Sequence, residues 1–280
     1  MIGITTACIC GLASYEEVFR YDAPPAGEVR FHFTAADPYR RRVLRCTGCG
    51  HFISVHGMSA DGLYAGEYVN STYGDCGIQP AFQRIVNLDP AKSDNAGRVR
   101  RVIAFARDHF GGDRPRSILD VGSGLCVFLH GMKTAGWRGT ALDPDQRSVE
   151  HARHTVGVEA VCADFMTAAD LGAFDVVTFN KVLEHVEDPV AMLARANRHV
   201  TPDGFIYVEV PDGEAAVHDG STREEFFIDH HHVFSAASLA LMAARAGFTV
   251  RALERLRQPS TKYTLRTFIV PEPTSRIEGA

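Results

Sequence analysis

The chain has 280 residues, 45% hydrophobic and 22% charged, with a formal net charge of −5, the composition of a globular protein with room for one large domain or two unequal ones. The acidic balance excludes a general pull toward nucleic acid or acidic membranes, and no apolar run reaches the length of a membrane span. The start, MIGITTACICGLASYEE, lacks the basic and long apolar regions of a secretion signal, and a cytoplasmic location is expected.

Residues 1–75 carry short β-prone runs (EVRFHF, RRVLRC, HFISVH) separated by Gly, Pro and Asp. Four of the seven cysteines fall here in two close pairs, Cys8/Cys10 and Cys46/Cys49, each followed by Gly. Paired thiols among short strands fit a small zinc-ribbon-like module better than a disulfide framework, and in so small a unit a structural zinc supplies much of the stability. The one-residue gap of the first pair strains a two-sulfur chelate, which leaves His51 and Cys76 as alternative ligands. The arginines Arg40, Arg41, Arg42 and Arg45 suit a diphosphate or an RNA backbone, but more simply mark an exposed strand edge kept soluble by charge. Tyr64, Tyr68 and Tyr73 are candidates for a lid or acceptor pocket.

From about residue 76 the pattern changes. NAGRVRRVIAFARDHFG predicts a helix, and β and α patterns then alternate: SILDV, then CVFLHGMKTAG; GTALD, then DQRSVEHARHT; VEAVCADF; FDVVTFN, then PVAMLARANRHV; FIYVEVP, then SAASLALMAARAGF. Such repeats predict a mostly parallel sheet covered by helices on both faces. The last two strands, TVRALERL and YTLRTFIV, have no helix between them and should pair as an antiparallel hairpin. The domains expected are therefore 1–75, 76–272 and a frayed tail 273–280.

The turn in RSILDVGSGLCVFL decides the ligand. A dinucleotide site wants a third glycine, where Val127 stands, and donors for a pyrophosphate. Asp120 ends the strand just before Gly122, Ser123 and Gly124, and its carboxylate would repel phosphate. It suits S-adenosylmethionine (SAM), which brings an ammonium group and no phosphate. Asp143, with Pro144, ends the second strand where a carboxylate can accept from ribose hydroxyls. Asp164 follows the third, placed for the adenine amino group, with Phe165 beside it to lie against the ring.

Methyl transfer from a sulfonium to a hydroxyl also needs an aligned base. Asn180 and Lys181 lie beside the expected methyl position, with Glu184 and His185 just after. FFIDHHHVFSAASL puts Asp229, His230, His231 and His232 in the loop before a helix capped by Ser235. Alternate residues point apart, so at most two of the three histidines face one way. His230 or His232 is the expected base, with His185 as a third candidate.

Over residues 95 to 270 these motifs resemble the class I SAM-dependent methyltransferases: ILDVGSGLCVFL is similar to their motif I, ALDPD to the ribose-binding acid, CADF to the adenine-binding turn, and FDVVTFNKVLEHVEDP and VTPDGFIYVEVP to the fourth- and fifth-strand segments. Cys126 departs from the pattern, standing where many members have a third Gly. The resemblance implies a Rossmann-like seven-stranded sheet of order 3-2-1-4-5-7-6 with the last strand antiparallel, here behind a small β-rich cysteine module. An N-terminal cysteine ribbon is similar to that of bacterial methyltransferases acting on nucleotide-linked sugars and natural-product precursors, and to that of a group of ribosomal RNA methyltransferases. The acidic charge favours a small acceptor, a hydroxyl of a nucleotide-linked sugar or glycan precursor, over RNA. A SAM-binding protein without transferase activity is the non-enzymatic alternative.

Overall fold

A computed structural model describes residues 7–28, 39–58 and 77–272. Tyr64, Tyr68, Tyr73, Cys76, most of EVRFHF and the tail 273–280 lie outside the described residues. In chain order come β1 (Tyr15–Tyr21), β2 (Arg41–Cys46), β3 (Phe52–His56), α1 (Ile78–Val86), α2 (Asp94–Phe110), β4 (Ser117–Val121), α3 (Val127–Thr134), β5 (Arg138–Asp143), α4 (Gln146–His151), β6 (Glu159–Cys162), β7 (Phe174–Asn180) and α5 (Pro189–Arg195). There follow β8 (Val200–Pro211), the short α6 (Gly213–Ala216), β9 (His232–Val233), α7 (Ala236–Arg245), β10 (Phe248–Arg257) and β11 (Tyr263–Pro271). Among the described residues no helix is long and apolar enough to cross a membrane.

The main sheet has seven strands in the order β10-β11-β8-β7-β4-β5-β6. Strands β4 to β8 pair in parallel, and β11 runs antiparallel to both β8 and β10. Alternation along the strands divides the core into two layers. Leu119, Val121, Val177, Phe179, Ile206 and Val208 face one layer, closed by α5 and α7. Ile118, Val176, Phe205 and Tyr207 face the other, closed by α2, α3 and α4. Helix caps follow from local chemistry: Ser93 accepts from Ala96 N, and Ser235 and Ser238 form a reciprocal capping box at the start of α7.

The N-terminal strands form a second, antiparallel sheet, β1-β2-β3-β9, whose fourth strand comes from the histidine loop. Nothing in YEEVFRY advertised β1, because a bulge between Glu17 and Phe19 breaks its two-residue alternation. The cysteine segment does not fold apart from the rest. Cys8, Ile9, Cys46 and Cys49 are buried in the same layer as Leu239, Met242 and Ala243 of α7.

The arginine cluster is corrected at Arg41. Its side chain is 0% exposed and pairs with Glu28 at 2.9 Å. It also donates to Phe226 O, and it lies over the Tyr21 ring. A strand sends successive side chains to opposite faces, so Arg41 goes inward while Arg42 goes outward beside Glu17. Arg45, on the face of Arg41 but near the end of the strand, crosses the Phe52 ring and reaches solvent beside Glu16. Arg41 is a buried tie and takes no part in a charged edge.

Where β8 ends, the chain passes close under the second sheet. A Cβ on Gly213 would stand 2.5 Å from the Phe52 ring, and Phe52 is fully buried. Gly213→Ala is expected to destabilise the fold by about 1–3 kcal/mol through overpacking, measured as a lowered urea midpoint with unchanged slope.

Candidate active site

The carboxyl ends of the parallel strands gather the acids expected from the sequence. Asp120, 2% exposed, accepts on Oδ1 from Thr178 Oγ1 at 2.6 Å and Asn180 Nδ2 at 2.7 Å, both from the neighbouring β7. Burial pushes its pKa up to about 6 against the lowering effect of those two donors. Among the described residues no cation pairs with it directly. Asn180 Oδ1 and Ser123 Oγ are buried with no hydrogen-bond partner, so acceptor and donor capacity remains beside the turn. That arrangement fits the ammonium and hydroxyls of SAM.

The turn itself is tight. Gly122 has φ +67, and a Cβ there would meet Val182 Cγ2 at 2.8 Å. Cys126, at φ 58, begins α3 in the left-handed region and is fully buried, so its small side chain stands in the glycine-like conformation without reaching the crevice. Asp143 is buried and accepts from Gly124 N at 2.8 Å and Asp145 N at 2.9 Å, which joins the glycine turn to the end of β5, with Pro144 exposed beside it. Asp164 is exposed and accepts from Met166 N at 2.8 Å in a local turn.

Phe165 is a correction. Its ring is 3% exposed and packs edge-on against Phe179 in the core. It is not presented to a ligand, because the turn at Asp164 directs it inward. Met166, 37% exposed, is the apolar side chain at that surface.

Lys181 also departs from the expected place. Its backbone is left-handed (φ 62) with its N–H on Glu209 O, and Nζ reaches Thr264 Oγ1 at 3.1 Å on β11. Burial lowers its pKa against the pull of Glu209 and Glu184. Glu209, opposite Asn180 in the sheet register, is fully buried and takes both donors of Arg98 and the Tyr207 hydroxyl. Burial opposes its charge, but Arg98 outweighs burial and brings it to about 2.

The three candidate bases separate. His230 donates from Nδ1 to Glu225 O at 2.8 Å, which leaves the lone pair on Nε2. His185 Nδ1 lies 2.8 Å from Asp229 O. The two rings meet at 4.8 Å, and Glu184 joins them, one ligand atom from each residue lying within 4.8 Å of the others. Both Glu184 oxygens are buried without a hydrogen-bond partner. Asp229 thus lies against His185, its Oδ2 3.8 Å from Nδ1, and acts on its sequence neighbour His230 as a nearby charge. His232 points elsewhere, with Nδ1 on His51 and Nε2 on Glu187 O, so neither of its nitrogens is uncommitted.

Sequence reasoning missed Thr178, Arg98 and Glu209, and read His51 only as an alternative metal ligand. Thr178 had a readable signal, since it lies two residues before Asn180 and so on the same face of a strand otherwise apolar.

At the N-terminal module, the Sγ atoms of Cys8, Cys10, Cys46 and Cys49 lie within 4.8 Å of one another, with Cys8–Cys49 and Cys10–Cys46 at 3.5 Å. Sulfurs at 2.3 Å from a tetrahedral zinc stand roughly 3.8 Å apart, so the four sulfurs fit that ion. His51, committed to Ser238 and His232, does not replace one of them.

A family profile described as a methyltransferase domain matches residues 92–253. Among curated relatives, the ubiquinone biosynthesis O-methyltransferase of Thiobacillus denitrificans is 29% identical over 164 residues, 52% of this chain and 71% of that protein. The enzyme of the same name from Methylococcus capsulatus is 30% identical over 99 residues, 33% of this chain and 42% of that protein. Of solved structures, the magnesium protoporphyrin IX methyltransferase of Synechocystis PCC 6803, with bound S-adenosylhomocysteine, has a TM-score of 0.57 at 16% identity, covering 76% of this chain and all of that one. The 1,6-didemethyltoxoflavin-N1-methyltransferase of Burkholderia thailandensis has a TM-score of 0.54 at 20% identity, covering 90% of this chain and all of that one. These likenesses show the fold, and the profile covers the segment carrying the glycine turn and the strand-end acids: the chain belongs to the methyltransferase-domain family and is a SAM-dependent methyltransferase.

Proposed function

We propose that the protein methylates an acidic, phenol-like hydroxyl of a small molecule, with His230 as the base. The observation that carries this reading is the His230 imidazole, fixed through Nδ1 and presenting its Nε2 lone pair beside His185 and Glu184. Burial lowers the His230 pKa further than the nearby acids raise it, and a weak base demands an acidic proton. A phenol, near pKa ~10, lies within about 4 units of imidazole, whereas an aliphatic sugar hydroxyl is far less acidic. The O-methyltransferase relatives agree with a small hydroxyl acceptor and give the nucleotide-sugar acceptor no support.

In this reading Asp120 and Asn180 hold the ammonium of SAM, Gly122, Ser123 and Gly124 let the ligand approach the backbone, and Asp143, Pro144 and Asp164 line the nucleoside side. When bound, SAM supplies the electrophilic methyl group. The chain's own work is orientation and removal of the hydroxyl proton. Lys181 supports the end of β8 through Glu209 and Thr264 instead of binding cofactor. The four cysteines hold a structural zinc, and the N-terminal module works as part of the transferase unit, since β9 completes its sheet.

Label transfer from methyl-labelled SAM to catechol, to a nucleotide-sugar panel and to total RNA tests the acceptor class. Label in catechol is expected, and label confined to sugars or RNA would sink the reading. His230→Gln should lower kcat by roughly 10²–10⁴-fold with SAM affinity unchanged, read by steady-state kinetics and calorimetry. Asp120 is charged above about pH 6 and takes up a proton below it, so SAM affinity should fall as pH drops through that range. Asp120→Asn should weaken binding roughly 10–100-fold at pH 8 and flatten this profile. Metal analysis should find one zinc per chain, and stripping it with a chelator should lower the melting temperature; metal-free protein with four freely titrating thiols would remove the zinc assignment.

A further inference from the structure

His51 is fully buried and takes no direct part in the chemistry above, yet both of its nitrogens are engaged. Nδ1 lies 3.1 Å from Ser238 Oγ in the cap of α7, and Nε2 lies 2.9 Å from His232 Nδ1. His232 Nε2 lies 3.2 Å from Glu187 O, in the loop that carries Glu184 and His185. The chain of contacts therefore runs from the α7 cap, through the second sheet, to the loop after β7.

Two neutral rings satisfy these partners in one order only. The Glu187 carbonyl only accepts, so His232 carries its proton on Nε2 and its lone pair on Nδ1. His51 must then donate from Nε2, and its Nδ1 is left to accept from the Ser238 hydroxyl, whose one proton is shared between His51 Nδ1 and Ser235 O, each 3.1 Å away. Ser238 Oγ still receives Ser235 N–H at 2.9 Å. The reverse order makes His232 a cation, and burial disfavours charge on that ring.

We infer that His51 is a positioning residue for methyl transfer. Through His232 it fixes the distance between the histidine loop and the loop after β7, and so sets His230 against His185 and Glu184. Three further contacts support this tie: Phe52 pairs with Val233, Ser54 N donates to His231 O, and Ser235 Oγ donates to Cys49 O. His232, an expected base on sequence grounds, becomes a link in the tie. The inference rests on the His185–His230 pair as the seat of proton removal.

The test compares His51→Phe with His51→Gln in the full chain. Phenylalanine keeps the edge contact that His51 makes with Phe234 at 5.0 Å and removes both nitrogens, while the glutamine amide restores a donor toward His232. The readouts are imidazole ¹⁵N spectra, SAM binding by calorimetry, and transfer to catechol. In the unaltered protein His232 is expected as the Nε2–H tautomer. His51→Phe should shift the His185 and His230 signals and lower kcat roughly 10–100-fold with SAM affinity within about twofold, and His51→Gln should restore most of both. A His232 protonated on Nδ1, unchanged His185 and His230 signals in His51→Phe, or equal losses in the two variants would each overturn the proposal. The tautomer is read without any variant, so a His51→Phe protein that fails to fold leaves the decision to the unaltered chain and His51→Gln. An active His230→Gln would remove the base assignment by itself, and the His232 tautomer and the His185 signal would still decide this one.

Discussion

A buried carboxylate must be neutralised, paired or given a ligand, and the end of the main sheet is arranged around that requirement. Glu209 on β8 and Asp120 on β4 flank the central β7 in opposite states. Glu209 has a guanidinium, a phenol and an amide on its two oxygens, and its charge is secure. Asp120 has two neutral donors on one oxygen and no direct cation. Arg98, paired with Glu209, acts on it only as a nearby charge. The polar network thus places its fixed cation on Glu209 and leaves Asp120 without one among the described residues; in the proposed reading the ammonium of SAM supplies it. Cofactor recognition, so proposed, is the completion of an ion pair that the fold leaves half made.

The second constraint is mechanical. The histidine loop follows β8, and with only its own turns to hold it the loop would be free to choose among several arrangements of three adjacent imidazoles. The N-terminal sheet removes that freedom from three directions. Arg41 reaches Phe226 O, Glu28 receives Ile228 N, and β3 pairs with β9. Each contact joins residues some 180 to 200 positions apart, so the cysteine segment, remote in sequence, shapes the catalytic side of the molecule. A module that looked like an appendage is built into the site.

What could be read from the sequence follows the range of the interactions. Asp120, Gly122, Gly124 and Asp143 are set by one strand–turn–strand neighbourhood, and their residue types at that spacing already exclude a pyrophosphate. The alternation of β and α patterns likewise defines the main sheet. Thr178, Arg98 and His51 act across 58, 111 and 181 residues respectively, and no local pattern carries such pairings. Phe165 failed for a different reason: adjacency to Asp164 says nothing about which way a ring turns, and the Phe179 contact takes it inward. Arg41 was hidden because a run of arginines looks uniform until the strand assigns alternate residues to opposite faces.

The two halves of the site are complementary in charge over the course of the proposed reaction. Before transfer, the charge that the reaction moves lies on the cofactor's sulfonium, while the ammonium at Asp120 stays charged throughout. Afterwards the sulfonium charge is gone and a proton has moved to His230, so one unit of positive charge has passed to the histidine pair. Burial makes His230 a reluctant host, holding its pKa below the usual imidazole range. Glu184 offsets the reluctance. Its oxygens are buried with no hydrogen-bond partner among the described residues, so the imidazolium, which Asp229 also favours, gives it a counter-charge within the same cluster. A carboxylate left unsatisfied in the resting protein thereby contributes most when the proton arrives, and the lone pair on His230 can be weak enough to stay neutral at rest without making the charged product inaccessible.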